Sequence, residues 1–207
     1  KGYTGEGVTI AIIDGPVDVS VPELAGANIV DKTPCSVEAT DELKTHGTSV
    51  ASLLVSRDYG VVPDATLLSY QVLDPTSRVG DDCSFQNNLR LTDLSSLINH
   101  AINDGASIIN YSSSTKAQGN DLKWTIARAM NQGVIITASV GNNATDENSS
   151  HLSRWSGVVG VSAINTDGKF ASYSSWGEGV TTTAVGGPFT ERNLVLGTIS
   201  QTQGTSI

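Results

Sequence analysis

Val8-Thr9-Ile10-Ala11-Ile12-Ile13-Asp14 is an apolar, β-branched run that ends on a carboxylate. Only Thr9 is polar before that end, so both faces of the strand it forms should be buried, as in a parallel sheet. Residues 66–73, 107–111, 134–139 and 158–164 share the character. Helical patterns lie between them. One opens at His46 and runs over 46–56. A second covers 93–104, with Leu94, Leu97, Ile98 and Ala101 at helical spacing, and Gly105 stops it. A third covers 122–132 and stops at Gly133. Strand–helix repetition of this kind predicts the α/β class: three layers, a mainly parallel sheet covered by helices on both faces. In such folds the loops at the carboxyl ends of the strands collect ligands and reacting groups, and Asp14 sits at one of those ends. The longest predicted loops are 74–91 and 142–156, and long loops in compact domains tend to be functional.

The chain has 207 residues, enough for one domain over 1–207 with a full core. Its 21 glycines and 16% charged residues indicate many tight turns rather than disorder. The net charge is -9, with no run of Lys or Arg, which excludes nucleic acid and anionic membrane surfaces as expected partners. No apolar stretch is long enough to span a membrane. The sequence begins Lys1-Gly2-Tyr3 and carries no signal peptide. Cys35 and Cys83 lack metal-ligand spacing, so two readings stand: a disulfide, favoured by their polar, loop-like settings, or two free thiols. The disulfide reading carries the expectation of a secreted or extracytoplasmic location.

Three polar residues stand out by context. Asp14 closes the first strand, His46 lies in Thr45-His46-Gly47-Thr48, and Ser206 lies in Gly204-Thr205-Ser206. Taken singly they read as a turn residue, a helix cap and a loop residue. Taken together, Asp, His and Ser follow the chain order known for subtilisin. With these motifs the sequence resembles the subtilisin-like serine peptidases, the subtilases. The resemblance covers nearly the whole chain. It includes Gly5-Glu6-Gly7-Val8, Gly60-Val61-Val62-Pro63-Asp64-Ala65, Gly105-Ala106-Ser107-Ile108-Ile109-Asn110, Ala138-Ser139-Val140-Gly141-Asn142 and Tyr173-Ser174-Ser175-Trp176-Gly177, in the family's order.

The resemblance implies a serine endopeptidase acting on a peptide or protein substrate without a cofactor. Ser206 would be the nucleophile and His46 its general base, with Asp14 orienting and stabilising the imidazolium. Asn142 and the Ser206 backbone N–H would bind the oxyanion. Ser112, Ser113 and Ser114 would run beside an extended substrate, and Ser139, Val140 and Gly141 would wall the primary pocket. Asp146 and Glu147 read as solvated loop charges, His100 as a structural or exposed helix residue, and His151 as a surface residue. The family's calcium insertion after the catalytic His is missing between Ser49 and Gly60, so no metal is expected there.

Two departures matter. Gly15-Pro16 stands where the family has Ser or Thr followed by Gly. Asp14-Gly15-Pro16-Val17-Asp18 resembles the cyanobactin-maturing branch, while residues 60–110 look closer to the mycosins of type VII secretion; together they favour a processing peptidase over a degradative one. Second, the sequence stops one residue after Ser206, where the family continues into a buried helix, so a complementary carboxyl-terminal segment is expected as a partner. The competing reading is a non-catalytic peptide-binding or assembly module derived from such a peptidase. A nucleotide-binding domain would need a Gly-rich phosphate loop after the first strand, and there is none.

Overall fold

Thr9–Asp14 forms β1 in the computed structural model, and every one of its six residues except Thr9 is buried. The structure describes residues 2–33, 37–72, 78–79, 93–113, 119–146 and 151–186. Cys35, Cys83, Ser114, Glu147 and Ser206 lie outside the described residues. The chain divides into two compact units, one up to Ile109 and one from Asn110, and each is described by itself.

In the first unit, β1 is followed by β2 (Asn28–Asp31), β3 (Val37–Glu38), helix α1 (Asp41–Val55), β4 (Thr66–Gln71), β5 (Arg78–Val79) and helix α2 (Leu94–Asn103). The strand order is β2-β4-β1. All these pairs are parallel, with Thr9 opposite Thr66 and Asn28 also opposite Thr66. β3 and β5 make a separate two-residue antiparallel pair. Alternation along the strands assigns the two faces. Ile10, Ile12 and Leu67 pack with Val50, Ala51 and Val55 of α1 and with Leu24. Tyr70 points to the other face, where its hydroxyl donates to Asp104 at the end of α2. The helices therefore cover opposite faces of this sheet.

The buried side of α1 also carries Thr48, Ser49 and Ser52. Each hydroxyl is satisfied within the helix: Thr48 donates to the Lys44 carbonyl at 2.6 Å, Ser49 to Thr45 at 2.8 Å and Ser52 to Ser49 at 2.8 Å. Small hydroxyls paired in this way can be buried at little cost. The helix does not open at His46, as the sequence reading had it. It starts at Asp41, where the Thr40 hydroxyl accepts the Leu43 N–H and Asp41 and Glu42 complement the positive end of the dipole. His46 consequently projects from a formed second turn.

At the end of α2, Gly105 takes φ 85, the left-handed conformation that stops the helix. Asp104 there is unfavourably placed for the helix dipole. Burial opposes its charge, yet the Tyr70 hydrogen bond and Lys32 hold its carboxyl below the usual range. The contacts are 2.5 Å to the Tyr70 hydroxyl and 3.2 Å to the Lys32 ammonium. Tyr70→Phe keeps the packing of a side chain that is 1% exposed and removes one charge-assisted hydrogen bond. It should cost about 1–2 kcal/mol in urea unfolding with unchanged m; no loss would mean that Lys32 alone satisfies Asp104.

The chain enters the second unit within β6 (Ile108–Tyr111) and continues through helix α3 (Asn120–Asn131), β7 (Ile135–Ser139), β8 (Val158–Ile164) and β9 (Thr182–Val185). Their order is β6-β7-β8-β9. The β7–β8 and β8–β9 pairs are parallel. α3 packs on β7 and buries Leu122, Ile126 and Ala129. Gly133, at φ 72, ends it. A 3-10 helix at Leu152–Arg154 lies within the stretch read as a long loop, and it packs on β7 and β8. The result is a mainly parallel sheet with helices, the α/β class expected from the sequence. No helix of the described residues is long and apolar enough to cross a membrane.

Candidate active site

Asp14 is the last residue of β1 and is 5% exposed. Its Oδ1 accepts two hydrogen bonds, from the Gly15 backbone N–H at 2.6 Å and from His46 Nδ1–H at 2.7 Å. Its Oδ2 has no hydrogen-bond partner among the described residues. The Nδ1 contact fixes the tautomer and leaves Nε2 as the basic nitrogen, the arrangement a general base requires. Burial by itself disfavours the imidazolium. The hydrogen bond to Asp14, its charge and the charge of Glu42 outweigh burial, so His46 holds its proton above the usual histidine range.

Linkage gives each charge a pH window. His46 binds its proton more tightly folded than unfolded, so its stabilisation is complete below about pH 6.5 and fades as pH rises through the raised value. Asp18 acts oppositely. Hydrogen bonds from Ser20, and then the Lys44 contact, lower its pKa to about 2, so its stabilisation is complete above about pH 3.9 and is lost toward pH 2.

In the second unit, Asn110 of β6 joins two neighbours. Its amide donates to the Ser112 hydroxyl at 2.7 Å, and its carbonyl accepts from Thr137 of β7 at 2.8 Å. This fixes the backbone that leads into Ser112 and Ser113. Ser112 is buried and Ser113 half-buried. Asn110 was quoted in the sequence only as part of a strand; the signal was an amide among apolar strand residues, with hydroxyls nearby in sequence and across the pair.

Ser139 closes β7 and Val140 and Gly141 follow it; all three are buried, so what they can offer a ligand is backbone. Asn142 comes next and is exposed. Gly141 takes φ 102, which turns the chain at the sheet edge. Beyond it the loop is laced to the 173–176 turn. Ser175 N–H donates to Gly141 O at 2.9 Å, Ala144 N–H to Tyr173 O at 2.9 Å, and Trp176 N–H to Thr145 O at 3.1 Å. The Ser175 hydroxyl accepts from the Asn143 N–H at 3.3 Å. Asp146 is exposed, as its reading as a solvated charge required. His100 is half-buried in α2. His151 is half-buried as well, where the chain leads into the packed 3-10 helix. Among the described residues no three His, Cys, Asp or Glu side chains gather as metal ligands would.

The structure thus brings Asp14 and His46 together in one unit and holds the Asn142 segment in the other. Comparisons with known proteins place the whole chain. The profile of the Subtilase family matches residues 5–206. Subtilisin amylosacchariticus of Bacillus subtilis subsp. amylosacchariticus is 29% identical over 218 residues, covering 100% of this chain and 54% of its own length. The minor extracellular protease Vpr of Bacillus subtilis is 32% identical over 197 residues, covering 84% of this chain and 23% of its own. The chain therefore spans about half the length of the first of these relatives and about a quarter of the second. Among solved structures, the prenylagaramide maturation protease PagA aligns with TM-score 0.74 and 26% identity, over 96% of this chain and 69% of that one. The self-cleaved protease domain of PatA aligns with TM-score 0.74 and 25% identity, over 99% and 76%.

Proposed function

The chain belongs to the subtilase family, and on that premise we propose that it is a serine endopeptidase of the precursor-processing kind, with Asp14, His46 and Ser206 as its triad. The observation that carries the proposal is the 2.7 Å contact between His46 Nδ1 and the buried Asp14 carboxylate at the carboxyl end of β1. A Ser hydroxyl is a weak nucleophile at neutral pH. His46 Nε2 takes its proton as the oxygen attacks the scissile carbonyl, and returns it to the leaving amine. Asp14 keeps the ring in the useful tautomer and stabilises the imidazolium. Asn142 and the Ser206 N–H then carry the charge of the tetrahedral oxygen. Ser112 to Ser114 pair with the substrate backbone, which gives affinity with little demand on sequence. Ser139, Val140 and Gly141 contribute backbone to the wall of the primary pocket.

The preference for processing rests on Asp14-Gly15-Pro16-Val17-Asp18 and on the likeness to two maturation proteases, PagA and PatA. A complementary carboxyl-terminal segment belongs to the same proposal, because the matched relatives are longer than this chain. The intact mass of the active protein tests it.

A fluorophosphonate reagent tests the core of the proposal. It should label Ser206, and His46→Ala should abolish the labelling. Labelling that persists at the parent rate in His46→Ala would remove His46 from the role of base, and absence of labelling in the parent would favour a peptide-binding module. The pH profile supplies a second test. General-base action needs neutral His46, and Asp14 raises its pKa. The acid limb of kcat/KM should therefore rise with a midpoint above about pH 6.5, and Asp14→Asn should move it down. A midpoint at or below 6.5 in the parent would contradict the geometry.

A further inference from the structure

The turn after β1 departs from the family, and the structure shows what the departure does. A Cβ on Gly15 would lie 2.1 Å from the Leu43 carbonyl oxygen and 2.7 Å from its carbon. Both are backbone atoms of α1, so neither can rotate aside. The approach is reciprocal: a Cβ on Gly47 would lie 2.3 Å from Gly15 O and 2.8 Å from Pro16 O. Leu43 and Gly47 are one helical turn apart, and His46 shares their side of the helix. The helix thus meets the turn backbone to backbone at the level of the imidazole.

A second set of contacts holds it there. Asp18 N–H donates to the Thr48 hydroxyl at 2.9 Å, and Lys44 Nζ donates to Asp18 Oδ2 at 2.9 Å. Asp18 Oδ1 is held by Ser20 through its N–H at 3.0 Å and its hydroxyl at 2.5 Å. Lys44 and Thr48 flank His46 two residues to either side.

We propose that Gly15 is a positioning residue for the Asp14–His46 pair, its missing side chain letting α1 seat on the turn, with Asp18 as the clasp that keeps it seated. The proposal deepens the peptidase reading and rests on it for its kinetic consequence. A methyl group at position 15 must displace α1 by about 1 Å to reach ordinary contact, which stretches a 2.7 Å hydrogen bond beyond useful range. Misplacement of that size costs about a hundredfold in rate.

The test reads geometry apart from turnover. Proton NMR of the full chain should show the low-field His46 Nδ1–H resonance of a carboxylate-bound imidazole. Gly15→Ala should lose it, lower kcat about a hundredfold and leave KM within about twofold. A folded Gly15→Ala that keeps the resonance and the parent kcat overturns the proposal. If Gly15→Ala does not fold, Asp18→Asn and Lys44→Met decide, since each removes the Lys44–Asp18 ion pair of the clasp without adding bulk. The charged groups bearing on the ring are Asp14 and Glu42, with Asp18 and Lys44 paired nearby. Charge alone would shift the His46 pKa in opposite directions in the two variants. A clasp predicts about threefold faster Nδ1–H exchange in both. Exchange unchanged in both, or faster in only one, overturns it. A parent chain that shows the resonance but hydrolyses no peptide would sink the peptidase reading, while the exchange rates still decide the positioning.

Discussion

Ser206→Ala should abolish peptide hydrolysis, with kcat falling by about 10⁶-fold, the size of loss known for subtilisin's own nucleophile. The expectation is built from both ends of the chain. Gly204-Thr205-Ser206 supplies a hydroxyl in the family's motif. At the other end, His46 Nδ1 lies 2.7 Å from the Asp14 carboxylate, the contact that the proposed triad needs to orient a general base. Alanine offers no oxygen to acylate, and water bound in its place lacks the covalent route. Because only one oxygen atom is deleted, folding stability should stay within about 0.5 kcal/mol of the parent, as read by urea unfolding. The two measurements together separate loss of chemistry from loss of structure. Hydrolysis at the parent rate in Ser206→Ala would make the triad assignment wrong.

Asn142→Leu should have the next largest effect on the chemical step. The substitution keeps similar bulk and removes the side-chain amide. In subtilisin the corresponding donor is worth about 2.7–4 kcal/mol, so kcat should fall by about a hundredfold or more. KM should change little, because the oxyanion forms only in the transition state. The local structure is suited to the role: Asn142 is exposed just beyond the buried end of β7, and the loop that carries it is tied to the 173–176 turn by backbone hydrogen bonds. A donor held by a laced loop needs no reorganisation as charge develops. A rise in KM with kcat unchanged would instead make Asn142 a substrate contact.

These expectations were legible to different degrees. Strand β8 was read at its observed bounds, Val158–Ile164, because a short run rich in Val and Ile is a local signal that needs no distant partner. The carboxyl ends of α2 and α3 were read from Gly105 and Gly133, which take φ 85 and φ 72. The start of α1 was missed, although Thr40-Asp41-Glu42 is a capping signal, because the His46 motif drew the boundary to itself. β2 and β9 were missed for another reason. All four residues of β9 are exposed, as are three of the four in β2. Each strand is defined by the neighbour that it pairs with, and exposed residues leave no periodic apolar trace.

By itself, then, the sequence determined which segments are buried, where two helices stop, and that Asp14, His46, Asn142 and Ser206 sit in a subtilase's motifs. Those properties are local, set by hydrophobic periodicity, glycine conformation and short motifs. Tertiary structure alone decided that His46 reaches the buried carboxylate through Nδ1, that Asp14 raises its pKa, and that Gly15 is required by the Leu43 carbonyl. The physical reason is the same in each case. A hydrogen bond, a Coulomb interaction and a steric contact all depend on distance through space, and residues far apart in sequence acquire that distance only when α1 packs against β1.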